Sequence, residues 1–285
     1  MSGPEETPPR LKVALEGVPE TTLWTLYHRA KDSQRPGSRL SDPKAIELVG
    51  AIDFPFEQKF GHKVGGLDGW IGERALTFDG EVRSVLATDP AALVAVIGEG
   101  LETQFWRVDN GQVRWLTVDL PETAAVRRAL VGEDPPRRRL FAGSALDLDW
   151  FSALGATPED RVVVVAQGLL MYLPPREVEA LIARCAERFR GGVMLFDTVP
   201  AWMSWLTQQG WARSPSGYRA PHMPWGVDAG DHARFRRLHP NIANVRSVGV
   251  PRGPGALSSV LLPLGRRIPV IRRGMPSIVR IDFGA

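Results

Sequence analysis

Two glycines and a run of acids are the residues whose types and spacing first suggest chemistry. In Ile97-Gly98-Glu99-Gly100-Leu101-Glu102-Thr103 the glycines follow the apolar run Ala92–Ile97 and open a helical pattern. Lacking Cβ atoms, they let the backbone turn tightly and let a ligand lie against it. Asp119 stands 21 residues beyond Gly98, at the end of the next apolar run. A carboxylate there accepts hydrogen bonds from both hydroxyls of a ribose. Strand, glycine turn, helix and acid together point to a nucleotide-type ligand. A dinucleotide turn has a third glycine where this chain has Thr103, and Glu99 and Glu102 would repel a pyrophosphate. S-adenosylmethionine, with a sulfonium and an ammonium beside its ribose and adenine, suits such a turn better than a nicotinamide cofactor does. Asp147-Leu148, after a third apolar run, reads either as a contact for the adenine amino group or as a helix N-cap. Gln167-Gly168 follows the run Arg161–Ala166 at the same sheet edge.

The elements that must position these residues are legible from periodicity. Arg114–Val118, Arg139–Ala142, Arg161–Ala166 and Gly192–Phe196 read as short buried strands, separated by helical patterns over Glu122–Leu130 and Pro175–Phe189. That alternation predicts an α/β fold with a mostly parallel sheet covered on both faces. Residues 1–90 read as a helical N-terminal cap without strands. Its helices run over Thr21–Lys31, after Asp42-Pro43 with Asp42 as N-cap, and over Glu73–Ala87, with a glycine-rich connection over 61–72. Residues 91–285 read as the sheet domain, with an aromatic-rich lid insertion at about 200–240. Two late strands are expected at Asn244–Val250 and Leu257–Leu262, joined by the turn Pro251–Gly255.

The 285 residues, 44% hydrophobic and 24% charged, are enough to bury a large core. Cys185 stands alone, which fits a reducing cytoplasm. With 35 basic against 32 acidic residues the net charge is +3, too little to argue for nucleic acid. The run Arg137-Arg138-Arg139 and the tail arginines Arg266, Arg267, Arg272 and Arg273 read as solvated surface. No apolar run is long enough to cross a bilayer, and residues 1–10 read as a loose start without a secretory signal. The expectation is a cytoplasmic monomer or homodimer with no membrane or nucleic-acid partner.

Three segments together resemble the leucine carboxyl methyltransferase family, which includes the tetracenomycin-type polyketide carboxyl O-methyltransferases. They are Gly98–Gln104, Val118–Glu122 and Gln167–Leu173; Arg29-Ala30 and Arg74…Asp79 are similar to its N-terminal signatures. The resemblance covers roughly residues 18–265. It implies a class I methyltransferase Rossmann-like sheet of seven strands with an antiparallel last strand, S-adenosylmethionine as methyl donor, and usually a carboxylate as acceptor. By position it implies that Arg74 pairs with the methionyl carboxylate, Gly98 lies against that moiety, Asp119 holds the ribose, and Asp147 and Leu148 contact adenine; Gly100 is expected beside them as a further cofactor contact. The family often has Glu where Gln167 stands and Asp where Glu102 stands, so an acidic contact is replaced at Gln167 by an amide.

An ionised carboxylate acceptor needs no base, whereas a phenol usually does; His28 and His222 are the candidates for that role. Tyr27, Arg29 and Tyr172 are expected to face the methyl group and hold the acceptor. Trp202, Trp205, His222 and Trp225 are expected to form a lid over an apolar or aromatic small molecule. No metal-ligand spacing is evident. The function expected is methylation of a carboxylate on a small polyketide-like or peptide-like molecule. Alternatives are a phenol, a protein C-terminal carboxylate, or a catalytically idle cofactor-binding homologue that regulates a partner.

Overall fold

The β-branched runs form strands, and their alternation of side chains sets the layers. A computed structural model of the chain describes residues 10–61, 70–132, 134–212, 218–248 and 274–285. In chain order the elements are β1 (Leu11–Lys12), α1 (Thr21–Gln34), α2 (Pro43–Ala51), β2 (Ile52–Asp53), α3 (Phe56–Phe60), α4 (Trp70–Leu86), β3 (Leu93–Ile97), α5 (Gln104–Val108), β4 (Arg114–Asp119), α6 (Pro121–Val131), β5 (Arg138–Ala142), α7 (Asp149–Leu154), β6 (Val162–Ala166), α8 (Pro175–Arg188), β7 (Val193–Thr198), α9 (Ala201–Gln208), β8 (Ile242–Val248) and β9 (Ser277–Phe283).

Seven strands lie in the order β5-β4-β3-β6-β7-β9-β8, and β9 runs antiparallel to both its neighbours. Because side chains alternate along a strand, Leu93, Ala95 and Ile97 of β3 pack on one face with α8 residues such as Val178 and Ile182. Val94 and Val96 pack on the other face, against Phe78, Val82 and Val85 of α4. A sheet buried on both sides explains why these strands read as unbroken apolar runs. Helices α1–α3 close over a separate cluster that includes Leu23, Leu26, Leu48, Phe56 and Phe60. Asp42 caps α2 as expected, its Oδ1 accepting from Ala45 N at 3.0 Å with Pro43 at the first helical position.

The structure corrects several expectations. The N-terminal region is not free of strands: β1 and β2 form a two-stranded parallel pair. Helix α4 starts at Trp70 and takes in Gly72, whose N–H donates to Asp32 Oδ2 at 3.0 Å. Its Phe78, Val82 and Val85 pack on the sheet, while Gly72 ties its first turn to α1. The neighbour of β8 is β9, seven residues that the apolar pattern hid because Arg280 and Asp282 interrupt it. Arg280 is accommodated by ion pairs with Glu81 at 2.9 Å and Asp282 at 2.7 Å. Arg138 is buried rather than solvated, its guanidinium 4.5 Å from the Trp106 ring centroid and paired with Asp134. The expected strand Leu257–Leu262, its turn Pro251–Gly255, the loose residues 1–9, most of the 61–72 connection and the four tail arginines lie outside the described residues.

Candidate active site

The glycine turn sits at the carboxyl end of β3, beside the ends of β4 and β6. Gly98 and Gly100 have φ of +63° and +56°, a region L-residues with a Cβ rarely adopt. Space forbids a side chain as well. A Cβ on Gly98 would lie 2.8 Å from Leu169 Cδ1, and one on Gly100 would run into Thr22 Oγ1 of α1. At the end of β4 the Asp119 carboxylate accepts from Gly100 N at 2.5 Å and Leu120 N at 2.8 Å. Burial pushes its pKa up, while those two N–H groups and Arg127 pull it back. The turn and the acid are thus locked to each other, and the acid keeps lone pairs for a ligand hydroxyl.

Glu99 and Glu102 do not face a ligand. This overturns the charge argument drawn from them: both carboxylates point into the protein and are already paired. Glu99 accepts from Arg127 Nη2 at 2.9 Å and from Thr117 Oγ1. Arg127 also donates to the carbonyls of Gly100 at 2.5 Å and Glu102 at 2.9 Å, so one guanidinium staples the underside of the turn. Glu102 meets Arg29 Nη1 at 2.8 Å and Arg107 Nη2 at 2.9 Å. Burial alone would raise its pKa, but the two arginines more than offset that and take it down to about 2. Arg107 reaches further, to Asp42 at 2.7 Å and Asp79 at 2.7 Å.

Across from the turn, Arg74 of α4 and Asp197 of β7 meet at 2.8 Å through Nε, and Gly168 N donates to the other Asp197 oxygen at 2.7 Å. Gly168, at φ +73°, has no room for a Cβ, which would lie 2.8 Å from Arg74 Nη2. Neither Nη1 nor Nη2 of Arg74 hydrogen-bonds to a described residue. These groups edge a cavity of about 590 Å³ with a largely apolar wall that includes Trp24, Trp70, Met171, Trp202 and Met275. Among the described residues lining it, the ionisable ones are Arg74, Asp197, Tyr172 and Tyr218. Burial pushes the Tyr172 hydroxyl up to about 12 against a hydrogen bond with Thr21, and it pushes Tyr218 up as well.

The structure brings together Arg74, Gly98, Gly100, Asp119 and Gln167 around the sheet edge, with Tyr172 and Trp202 at the cavity. Gln167 Nε2 donates to Glu102 Oε2 at 3.2 Å, and its buried Oε1 has no partner among the described residues. Asp147 is exposed and Leu148 sits at the N-cap position of α7. Two expected acceptor residues are elsewhere. Tyr27 is packed in the cap core, its ring stacked on Phe56 at 5.4 Å, because it shares the apolar face of α1. Arg29 is 1% exposed and spent on Asp42, Glu102 and the Leu101 carbonyl. His28 is buried edge-on to Trp24 and Tyr27, and His222 is exposed; neither lines the cavity. Of the lid tryptophans, Trp202 lines the cavity and donates to the Gly274 carbonyl at 2.8 Å. Trp205 packs on Trp211 at the surface, 5.2 Å between ring centroids. Trp225 is 1% exposed in the sheet core against Phe196 and Phe235, so it is a core residue and not a lid.

Asp197 and Arg127 were missed by sequence reasoning, though signals existed. Asp197 is an acid at the carboxyl end of a fully buried strand. Arg127 falls on the inward stripe of α6 with Thr123 and Ala124, where a charged residue must find a partner.

Comparison with known proteins fits this geometry. Residues 22–186 match the sequence model of the leucine carboxyl methyltransferase family. The tetracenomycin polyketide synthesis O-methyltransferase TcmP of Streptomyces glaucescens is 31% identical over 201 residues, 67% of this chain and 69% of that protein. The S-adenosyl-L-methionine-dependent methyltransferase dpfgK of Gibberella zeae is 28% identical over 193 residues, 63% of this chain and 64% of that protein. The alignments span about two thirds of the length of these relatives. A solved structure of a Thermobifida fusca protein classed among methyltransferases shares the fold at a TM-score of 0.55 and 13% identity, over 90% of this chain and 94% of that one.

Proposed function

The chain belongs to the leucine carboxyl methyltransferase family and is an S-adenosylmethionine-dependent methyltransferase, and from that premise we propose that it methylates a carboxylate on a small, apolar polyketide-like or peptide-like molecule. The observation that carries the choice of acceptor is the chemistry of the cavity wall. Both Asp197 oxygens are engaged, one by Arg74 Nε and the other by the Gly168 N–H, and burial holds Tyr172 and Tyr218 protonated. Among the described residues lining the cavity, no base is left uncommitted to take a proton from the acceptor. A carboxylic acid, with a pKa near ~4, arrives already ionised, whereas a phenol near ~10 does not.

The residues present fit the donor. The Gly98 and Gly168 backbones are bare where a Cβ would collide, Arg74 offers two free Nη atoms, and the buried Oε1 of Gln167 awaits a donor. In this reading Arg74 holds the methionyl carboxylate, Asp119 the ribose hydroxyls, Asp147 and Leu148 the adenine, and Gly98, Gly100 and Gln167 the remainder. When bound, S-adenosylmethionine supplies a methyl group activated by its sulfonium. The protein then has to orient the acceptor. Tyr172, kept protonated, turns its O–H from Thr21 Oγ1 to the acceptor carboxylate, and the apolar wall with Trp202 excludes water and strengthens that contact. Tyr27 and Arg29 are no longer part of this assignment, since their side chains are engaged in the cap.

With S-adenosylmethionine and an aromatic carboxylic acid, kcat/KM should stay flat from about pH 6 to pH 9, because the acceptor is ionised throughout. A slope of one rising over that range, or turnover of phenols in preference to acids, would overturn the carboxylate assignment. Asp119→Asn should weaken S-adenosylmethionine by about 10-fold or more in calorimetric titration, as an amide NH2 replaces one of the two oxygens that accept from the ribose. Unchanged affinity would remove Asp119 from the site.

A further inference from the structure

Three buried polar side chains that the proposed methyl transfer leaves unused meet at one edge of the cavity. Thr198 ends β7 and Ser277 begins β9, and the antiparallel register sets them directly opposite each other. Both line the cavity. Their hydroxyl oxygens are 3.0 Å apart, and His232 Nε2 lies 3.3 Å from Thr198 Oγ1 and 3.2 Å from Ser277 Oγ, closing a triangle. All three residues are more than nine-tenths buried. His232 belongs to a short 3-10 turn, His232–Arg237, with its ring stacked on Phe235 at 6.1 Å, and its Nδ1 has no partner among the described residues.

Counting protons shows what the triangle presents to the cavity. Burial takes the imidazole pKa down to about 4, so the ring is neutral and carries one proton. Placed on Nδ1, that proton would be a buried donor without a partner among the described residues, the rarer and costlier defect. Placed on Nε2, it is donated to one of the two hydroxyls. That hydroxyl donates to the other, and the second has nowhere within the triangle to send its proton, because Nε2 no longer has a lone pair. One O–H is therefore left over, at an edge where the remaining wall is mainly apolar.

We propose that Thr198, Ser277 and His232 form a recognition subsite that donates one hydrogen bond to a carbonyl-type oxygen of the methyl acceptor, separate from the carboxylate that is methylated. The subsite deepens, and rests on, the reading of the cavity as the acceptor site. It narrows the acceptor to an apolar carboxylic acid with a keto or quinone oxygen elsewhere on its skeleton. His232 acts here as a positioning residue, since it fixes which way the two hydroxyls point.

A matched pair of probes tests this: anthraquinone-2-carboxylic acid and anthracene-2-carboxylic acid, which differ in the ring carbonyls. Binding of each to the protein saturated with S-adenosylhomocysteine is read from quenching of tryptophan fluorescence, and ester formation is followed separately with S-adenosylmethionine. The wild-type chain should bind the quinone acid about 10-fold more tightly. That preference should collapse towards one in Thr198→Val/Ser277→Ala, with Ser277→Ala alone as the milder variant and a melting curve for each to show that it is folded. Equal binding of the two acids by the wild type, or a preference that survives in the double variant, overturns the subsite. Discrimination in binding without ester from either acid keeps the subsite and sinks the carboxylate reading. Ester formation from both without discrimination does the reverse, and binding of neither acid removes both.

Discussion

Arg107→Met should lower the melting temperature by about 6–20 °C, even though Arg107 contacts no ligand in the proposed reaction. Its guanidinium is held among three buried carboxylates: Asp42 at 2.7 Å, Asp79 at 2.7 Å and Glu102 at 2.9 Å. Arg29 is the second cation in this cluster, at 3.2 Å from Asp42 and 2.8 Å from Glu102. Removing Arg107 leaves Asp79 with the Gln104 amide as its remaining hydrogen-bond donor and halves the cations facing the other two acids. Breaking a buried pair in this way costs about 3–5 kcal/mol, and each kcal/mol shifts the melting point of a chain this size by about 2–4 °C. A lysine at the position has one ammonium where a planar fork now serves three acids, so Arg107→Lys should recover only part of the loss.

A pH series separates lost pairing from lost packing. Glu102 is depressed in the folded chain from 4.5 to about 2. Its contribution to stability is therefore fully present above pH 4.5 and disappears as the pH falls towards 2. In Arg107→Met that acid limb should be shallower, because much of the depression is gone. A variant that melts early but keeps the full limb would mean that packing of the arginine stem, not its charge, is what was lost.

How much of this was readable from the sequence differs by layer. The strands β3, β4, β6 and β7 were legible because burial on both faces demands uninterrupted apolar residues. Gly98, Gly100 and Asp119 were legible because their spacing spans one β-turn-α-β unit. Of the cations that pair with the acids in the turn, Arg107 is a near neighbour of Glu102, and the others are distant along the chain. Glu99 and Glu102 looked like ligand contacts because Arg127 and Arg29, which pair with them, lie 28 residues later and 73 earlier along the chain, and nothing local shows that Arg107 folds back onto Glu102. Only the fold shows those partners. Tyr27 and Trp225 failed for a related reason: an aromatic residue marks a core as readily as a binding surface, and only depth decides. Strand β9 was hidden by Arg280 and Asp282, which satisfy each other and Glu81 inside a layer where the apolar pattern expects neither.

Arg74 carries the other large prediction, since it joins the two halves of the site. Its Nε is committed to Asp197 at 2.8 Å, its Nη2 lies against Gly168, and both Nη atoms remain for a carboxylate. Arg74→Met should reduce kcat/KM by about 10³-fold. It removes two charge-assisted hydrogen bonds of about 1.5–3 kcal/mol each from the donor, and it leaves the Asp197 carboxylate with the Gly168 N–H as its donor among the described residues. Arg74→Lys should fall between, because one ammonium cannot serve Asp197 and a ligand carboxylate together. Loss of activity alone would not distinguish binding from damage to the α4–β7 contact. Decarboxylated S-adenosylmethionine does distinguish them, since it lacks the group that Arg74 is assigned to hold. The wild-type chain should prefer the intact donor by about 100-fold in affinity, and Arg74→Met should bind the two alike. A preference that persists in the variant would assign the methionyl carboxylate to another residue and leave Arg74 as the structural partner of Asp197.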